Sequence, residues 1–135
     1  MGRVIAVANQ KGGVGKTTTA INLSASLALS EQRTLLIDCD PQGNTTSGLG
    51  FPKDPARRTL YNILMLGEPL EKIILKTQID GLDLIPADKN LVGAEVELVC
   101  ITEKSRRKFP RIRLLKKDPS VGVLSRPRLL WRTSG

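Results

Sequence analysis

The apolar positions of the chain fall into short blocks that predict alternating strands and helices. Residues 4–8 form a β-branched apolar run typical of a buried strand, and residues 20–28 follow with a helical pattern. Residues 33–40 read as a second strand that runs into acidic residues. A strand, helix and strand of these lengths predict a right-handed βαβ unit with parallel strands. Small helix residues should let the helix lie close on the sheet: Ala20, Ser24, Ala25 and Ala28.

Beyond residue 40 the pattern changes several times. Residues 41–50 are polar and glycine-rich, which predicts a loop without helix or strand. A helix is predicted from Thr59, ending at Gly67 and Pro69, and residues 71–75 suggest a further short helix. Residues 81–86 alternate and predict a third strand, closed by Pro86. Apolar residues then recur at helical spacing: Ala94, Leu98 and Ile101.

The positive charge of the chain is confined to its last quarter. The net charge is +8 over 135 residues. Residues 1–100 hold 10 Lys/Arg and 11 Asp/Glu, whereas residues 101–135 hold 11 and 2. No apolar run approaches the length of a membrane span or a signal peptide, so no membrane association is expected. Cys39 and Cys100 are far apart and lack metal-ligand spacing, which predicts reduced thiols in a cytoplasmic protein.

Residues 9–19, N-Q-K-G-G-V-G-K-T-T-T, lie between the first strand and the first helix. This is the context of a phosphate-binding loop, whose glycines let successive N–H groups point at phosphate oxygens. The helix that follows adds the positive end of its dipole. Lys16 would supply a charge to the β- and γ-phosphates, and Thr17 a hydroxyl to Mg²⁺. The alternative is a flexible glycine turn before a surface helix.

The loop resembles one particular class of phosphate-binding loop. Gln10 stands where the common form has glycine, and the variant K-G-G-V-G-K-T-T is similar to the deviant loop of the ParA/Soj/MinD ATPases. The segment D-C-D-P-Q-G-N at residues 38–44 resembles the signature of the ParA/Soj partition branch. L-I-P-A at 84–87 and G-A-E at 93–95 also resemble that branch. The resemblance covers residues 3 to about 101.

The resemblance implies an α/β fold: a P-loop NTPase parallel sheet with flanking helices, incomplete and with about three strands. It implies binding of ATP and Mg²⁺ and ATP hydrolysis in chromosome or plasmid partition. Lys11, Lys16 and Asp40 would be catalytic, with Lys11 reaching a partner's phosphates in an ATP-dependent homodimer and Asp40 orienting the attacking water. Thr17 and Asp38 would hold the metal, although Asp38 could instead cap the following turn. The nucleotide-binding residues would be Lys11, Gly12, Gly13, Val14, Gly15, Lys16, Thr17 and Thr18.

The family also implies partners and a location. The partners would be nonspecific DNA and a ParB-like protein, and the protein would be cytoplasmic and associated with the nucleoid. The sequence leaves three alternatives open. The chain could be an ATP-binding remnant without hydrolysis, a MinD-like ATPase, or a small basic nucleic-acid-binding protein. MinD proteins share the lysine-bearing loop but not the D-P-Q-G-N continuation.

The family pattern stops near residue 101. The D-x-P-P-S-L-G segment that should follow is missing, and Asp118–Gly122 is only a faint echo of it. We therefore predict two regions, 1–101 as the N-terminal part of a ParA-type ATPase domain and 102–135 as a basic tail, disordered or out of frame. A truncated member of this kind should have impaired turnover. A functional basic arm is the rival interpretation, but Phe109 and Trp131 are too few for a stacking surface.

Overall fold

The computed structural model describes residues 3–8, 15–94 and 122–126, the last as backbone only. The strands are β1 (Arg3–Ala6), β2 (Arg33–Ile37), β3 (Leu75–Lys76), β4 (Leu82–Ile85) and β5 (Gly122–Arg126). The helices are α1 (Lys16–Leu29), α2 (Asn44–Gly48) and α3 (Leu60–Leu66), with a 3₁₀ turn at Leu70–Lys72. Residues 91–94 are helical. Among these residues no helix combines the length and the hydropathy that crossing a membrane requires.

The strands form one mixed sheet in the order β1-β5-β2-β4-β3. β2 and β4 pair in parallel, whereas β5 is antiparallel to both of its neighbours, β1 and β2. β1 and β2 therefore run in the same direction but are separated by one strand. The short strand β3 pairs antiparallel with β4 at the sheet edge. The predicted α/β class is confirmed, but the described residues form a mixed sheet of five strands where a parallel sheet of about three strands was expected.

The two faces of the sheet are covered by different helices. Leu36 and Leu84 are level with each other in the β2–β4 ladder, and they are buried in one cluster with Ala20 and Ala28 of α1. Ile85 faces the other way and packs in a second cluster with Leu60 and Leu64 of α3. This alternation is what a central strand covered on both faces requires. Of the small α1 residues, Ala20, Ser24 and Ala28 are buried as predicted, and Ala25 is half-buried.

Helix α3 and strand β4 appear where the sequence predicts them. Thr59 begins α3 through a capping box in which its backbone N–H donates to the Asn62 side chain at 2.9 Å. Gly67 ends it with φ 65°, the left-handed conformation common after a helix. The predicted helix at 71–75 is wrong, since the 3₁₀ turn ends at Lys72 and Leu75 begins β3. Leu98 and Ile101 lie outside the described residues.

The helix α2 differs from the sequence prediction, which expects a loop at residues 41–50. Gly43 precedes the helix with φ 64°. The backbone N–H of Thr46, which has no carbonyl partner in the first turn of a helix, donates to the Asp38 carboxylate at 2.9 Å. Asp38 follows β2, so the group that satisfies the start of α2 comes from another element. A local pattern cannot reveal such a partner.

Candidate functional site

The ends of β1 and β2 are level at one edge of the sheet. Gly122 of β5 pairs with Ala6 on one side and with Ile37 on the other. Two strand spacings separate Ala6 and Ile37, about 10 Å. Ile37 is also level with Ile85, so the segment after β4 leaves the same edge. In α/β sheets, ligands bind beyond the carboxyl ends of the strands.

Helix α1 begins at this edge with the residues expected to hold phosphate. Gly15 precedes the helix with φ 83° and accepts the N–H of Thr19 at 2.9 Å, the first bond of the helix. Lys16 is the first helical residue. Lys16 and Thr17 are half-buried, and Thr18 is exposed. The first turn of an α-helix directs backbone N–H groups outward along its axis, which makes a helix start favourable for an anion.

Asp38 follows β2 and is completely buried. One carboxylate oxygen accepts the N–H of Asp40 at 3.0 Å. The other accepts both the N–H and the hydroxyl of Thr46, at 2.9 and 2.7 Å. The carboxylate thus stabilises the turn that follows β2, which is the alternative to metal binding that the sequence leaves open for Asp38. A carboxylate offers about four lone-pair positions, so three accepted bonds leave room for one more donor.

Burial raises the pKa of Asp38 above its ordinary value of 3.8, and the charge of Asp40 adds to this effect. The hydrogen bonds from Thr46 and Asp40 lower the pKa of Asp38 but do not offset the burial. The folded protein therefore binds a proton at Asp38 more tightly than the unfolded chain does. The resulting contribution to stability is complete below the unfolded pKa and is lost as the pH rises through the folded pKa.

We expect this contribution to be visible in the free energy of unfolding. Asp38→Asn removes the titrating group, so the free energy of the wild type minus that of the variant should fall as the pH rises from about 4. Urea unfolding of both proteins across the range from about pH 4 to 7 measures the difference. A difference that is constant or that rises with pH would contradict a raised pKa.

Asp40 is held within its own loop. One carboxylate oxygen accepts the N–H of Gln42 at 2.9 Å, and the other accepts the side-chain amide of Asn44 at 3.1 Å. Its carbonyl accepts the N–H of Gly43 at 2.8 Å. Asp40 is half-buried, which leaves part of it accessible at the sheet edge. The loop is therefore folded on its two aspartates, Asp38 and Asp40.

The structure describes only part of the predicted site. Gly15, Lys16, Thr17, Thr18, Asp38 and Asp40 are described, whereas Lys11, Gly12, Gly13 and Val14 lie outside the described residues. Thr46 contacts Asp38 with two groups, and the sequence does not predict this contact. A threonine in a polar loop gives no signal of such a contact. Because β1 and β2 run in the same direction and end level, the start of α1 and Asp38 lie at the same end of the sheet.

The chemistry of these side chains suits a magnesium–nucleotide complex. Among the described residues, no group of three or more His, Cys, Asp or Glu side chains could form a metal cage. Magnesium does not need one, because it is usually bound by one or two protein oxygens together with phosphate and water. The Thr17 hydroxyl and the Asp38 carboxylate are oxygen donors of this type. The residues present therefore fit the ion.

Comparison with known proteins identifies the family. A family model described as an AAA domain matches residues 2–118. The chain is 54% identical over 105 residues to the chromosome partitioning protein ParA of Caulobacter vibrioides, covering 78% of this chain and 39% of that protein. It is 44% identical over 134 residues to the sporulation initiation inhibitor protein Soj of Bacillus subtilis, covering 93% and 53%.

A solved structure shows the same fold. The chain superposes with a TM-score of 0.71 and 34% identity on cobyrinic acid a,c-diamide synthase from Mycobacterium smegmatis with bound ADP and magnesium, covering 83% of this chain and 45% of that one. The chain spans about half the length of the curated relatives it matches. The family match continues past residue 101, where the sequence pattern alone placed a boundary. The chain therefore belongs to the AAA-domain family that this model describes, and it corresponds to the N-terminal part of its ParA/Soj members.

Proposed function

We propose that this chain binds ATP together with Mg²⁺ and acts as part of a ParA/Soj-type partition ATPase. One observation carries the proposal. The strand before the phosphate-binding loop and the strand before the buried Asp38 end level at the same sheet edge. Because of this register, the start of α1 and the Asp38 carboxylate both lie beyond the same end of the sheet.

Each residue has a role that follows from its chemistry. Lys16 and the N–H groups at the start of α1 bind phosphate oxygens, and Thr17 and Asp38 would hold the metal, Asp38 through water. Magnesium, when bound, neutralises charge on the phosphates. Asp40 would orient the attacking water, and Lys11 would reach the nucleotide of a partner copy. Catalysis of this type consists mostly of positioning and electrostatic stabilisation.

The ammonium group of Lys16 provides the sharpest test of this proposal. Lys16→Ala should weaken ATP binding by about 10- to 100-fold, because a charge-assisted hydrogen bond contributes about 1.5–3 kcal/mol. Arg33→Ala is the matched control, since it also removes one positive charge but lies at the opposite end of β2 and is exposed. Titration of each protein with a fluorescent ATP analogue and excess Mg²⁺ measures the affinities.

Two results would reject the proposal. One is a wild-type chain that does not bind ATP, and the other is a Lys16→Ala variant that binds as well as Arg33→Ala. Phosphate release in the same samples tests turnover separately. The engagement of both Asp40 oxygens within the loop favours a second candidate, nucleotide binding with slow or no hydrolysis. Binding without phosphate release would support that candidate.

The proposed partners are a second copy of the chain, nonspecific DNA and a ParB-like protein. The similarity to partition proteins supports all three. The proposed location in the cytoplasm at the nucleoid rests on the same similarity. Sedimentation with and without ATP would test the dimer, and the salt dependence of DNA binding would test the contribution of phosphate contacts.

A further inference from the structure

Thr46 joins three separate segments through one side chain. Its hydroxyl donates to the Asp38 carboxylate at 2.7 Å and accepts the N–H of Ala87 at 3.1 Å. Its own N–H donates to the same Asp38 oxygen at 2.9 Å. Asp38 follows β2, Thr46 lies in α2, and Ala87 follows β4. Thr46 is almost completely buried, with a relative exposure of 4%.

This arrangement fixes the orientation of the carboxylate. One oxygen of Asp38 is held by Asp40, so the position of the other depends on Thr46. Without the hydroxyl, that oxygen would keep only one of its two hydrogen bonds. The N–H of Ala87 would lose its acceptor in a buried place, which is costly. Both effects would loosen the carboxylate and the segment after β4 together.

We propose that Thr46 is a positioning residue that orients the Asp38 carboxylate for the magnesium–nucleotide complex. That Thr46 orients the Asp38 carboxylate rests on the hydrogen bonds alone. That this orientation serves the magnesium–nucleotide complex rests on the proposed function. Loss of a residue that hydrogen-bonds to a metal-binding group typically weakens metal affinity or activity by about 10- to 100-fold. Thr46 acts through Asp38 and is not itself placed at the nucleotide.

The neighbouring threonine offers a matched control. Thr45 lies in the same helix and is completely buried, yet its hydroxyl makes no hydrogen bond with any described residue. Threonine to valine has the same effect on shape at both positions and removes one hydroxyl. Only at Thr46 does it remove a link to Asp38. Thr46→Ser keeps that link and loses only a methyl group.

The experiment uses the full chain in four forms: wild type, Thr46→Val, Thr46→Ser and Thr45→Val. Binding of a fluorescent ATP analogue is measured over a range of Mg²⁺ concentrations. Thr46→Val should need about 10- to 100-fold more Mg²⁺ for half-maximal binding. Thr46→Ser and Thr45→Val should stay close to the wild type. Amide hydrogen exchange without nucleotide should show faster exchange at Ala87 in Thr46→Val alone.

The outcomes separate this proposal from the proposed function. An unchanged Mg²⁺ requirement in Thr46→Val, or an equal defect in Thr45→Val or Thr46→Ser, would overturn it. If the wild type binds no ATP at any Mg²⁺ concentration, the proposed function fails, and exchange at Ala87 then decides the positioning role. Unchanged exchange in Thr46→Val would overturn that role as well. Circular dichroism confirms that each variant is folded.

Discussion

Replacing Leu124 with proline should lower the free energy of unfolding by about 3 kcal/mol. Leu124 is the central residue of β5, level with Val4 on one side and Leu35 on the other. A strand with neighbours on both sides uses the N–H of each residue in a ladder, and proline has none. The loss combines a missing hydrogen bond with backbone strain.

The effect should be concentrated at β1. Within the described residues, β1 is hydrogen-bonded to the sheet only through β5. Amide exchange at Val4 and Ile5 should therefore accelerate more than exchange at Leu82 and Leu84, which pair with other strands. Leu124→Ile is the control, because it keeps the N–H and has a high strand propensity. Equal unfolding free energies for the proline and isoleucine variants would refute this account.

Replacing Gly43 with alanine should cost about 3 kcal/mol of stability. An alanine Cβ at this position would lie 2.9 Å from the carbonyl oxygen of Ala87, which is backbone and cannot swing away. Gly43 also has φ 64°, where an L-residue is strained by roughly 1–2 kcal/mol. The two costs add because the close approach and the dihedral have separate physical causes. Urea unfolding followed by circular dichroism measures the loss.

Gly67→Ala separates the two costs. Gly67 has nearly the same dihedral, φ 65°, but an alanine Cβ there would have no neighbouring atom within 4 Å among the described residues. It should therefore lose only the strain of the dihedral, about 1 kcal/mol, partly offset by the lower entropy of the unfolded chain. If both alanine variants lose the same stability, α2 does not approach the end of β4 as closely as the structure shows.

Sequence reasoning succeeded where the cause of structure is local. The apolar patterns of residues 33–40 and 81–86 predict β2 and β4, and Thr59 and Gly67 mark the two ends of α3. It failed at α2 because the helix depends on Asp38, and at β5 because that strand has no neighbour along the chain. The mixed character of the sheet follows from the same long-range pairing.

The candidate site divides in a similar way. The sequence motifs indicate Lys16, Thr17 and Asp38 as candidate site residues by their chemistry. The strand register adds that β1 and β2 end level with each other. The motif does not predict the hydrogen bonds of Thr46, because its partners Asp38 and Ala87 are distant in sequence. The roles of Lys11, Lys16, Thr17, Asp38 and Asp40 remain predictions for the binding experiments.

The position of β5 also sets the order in which the sheet can form on the ribosome. Arg3 pairs with Ser125, which is synthesised long after it. Contacts between residues so far apart in sequence are slow to form, because a long loop must close first. While β2 and β4 can pair early, β1 must wait until β5 has left the exit tunnel. A stalled or shortened nascent chain would therefore expose its first strand, an aggregation risk for chaperones to manage.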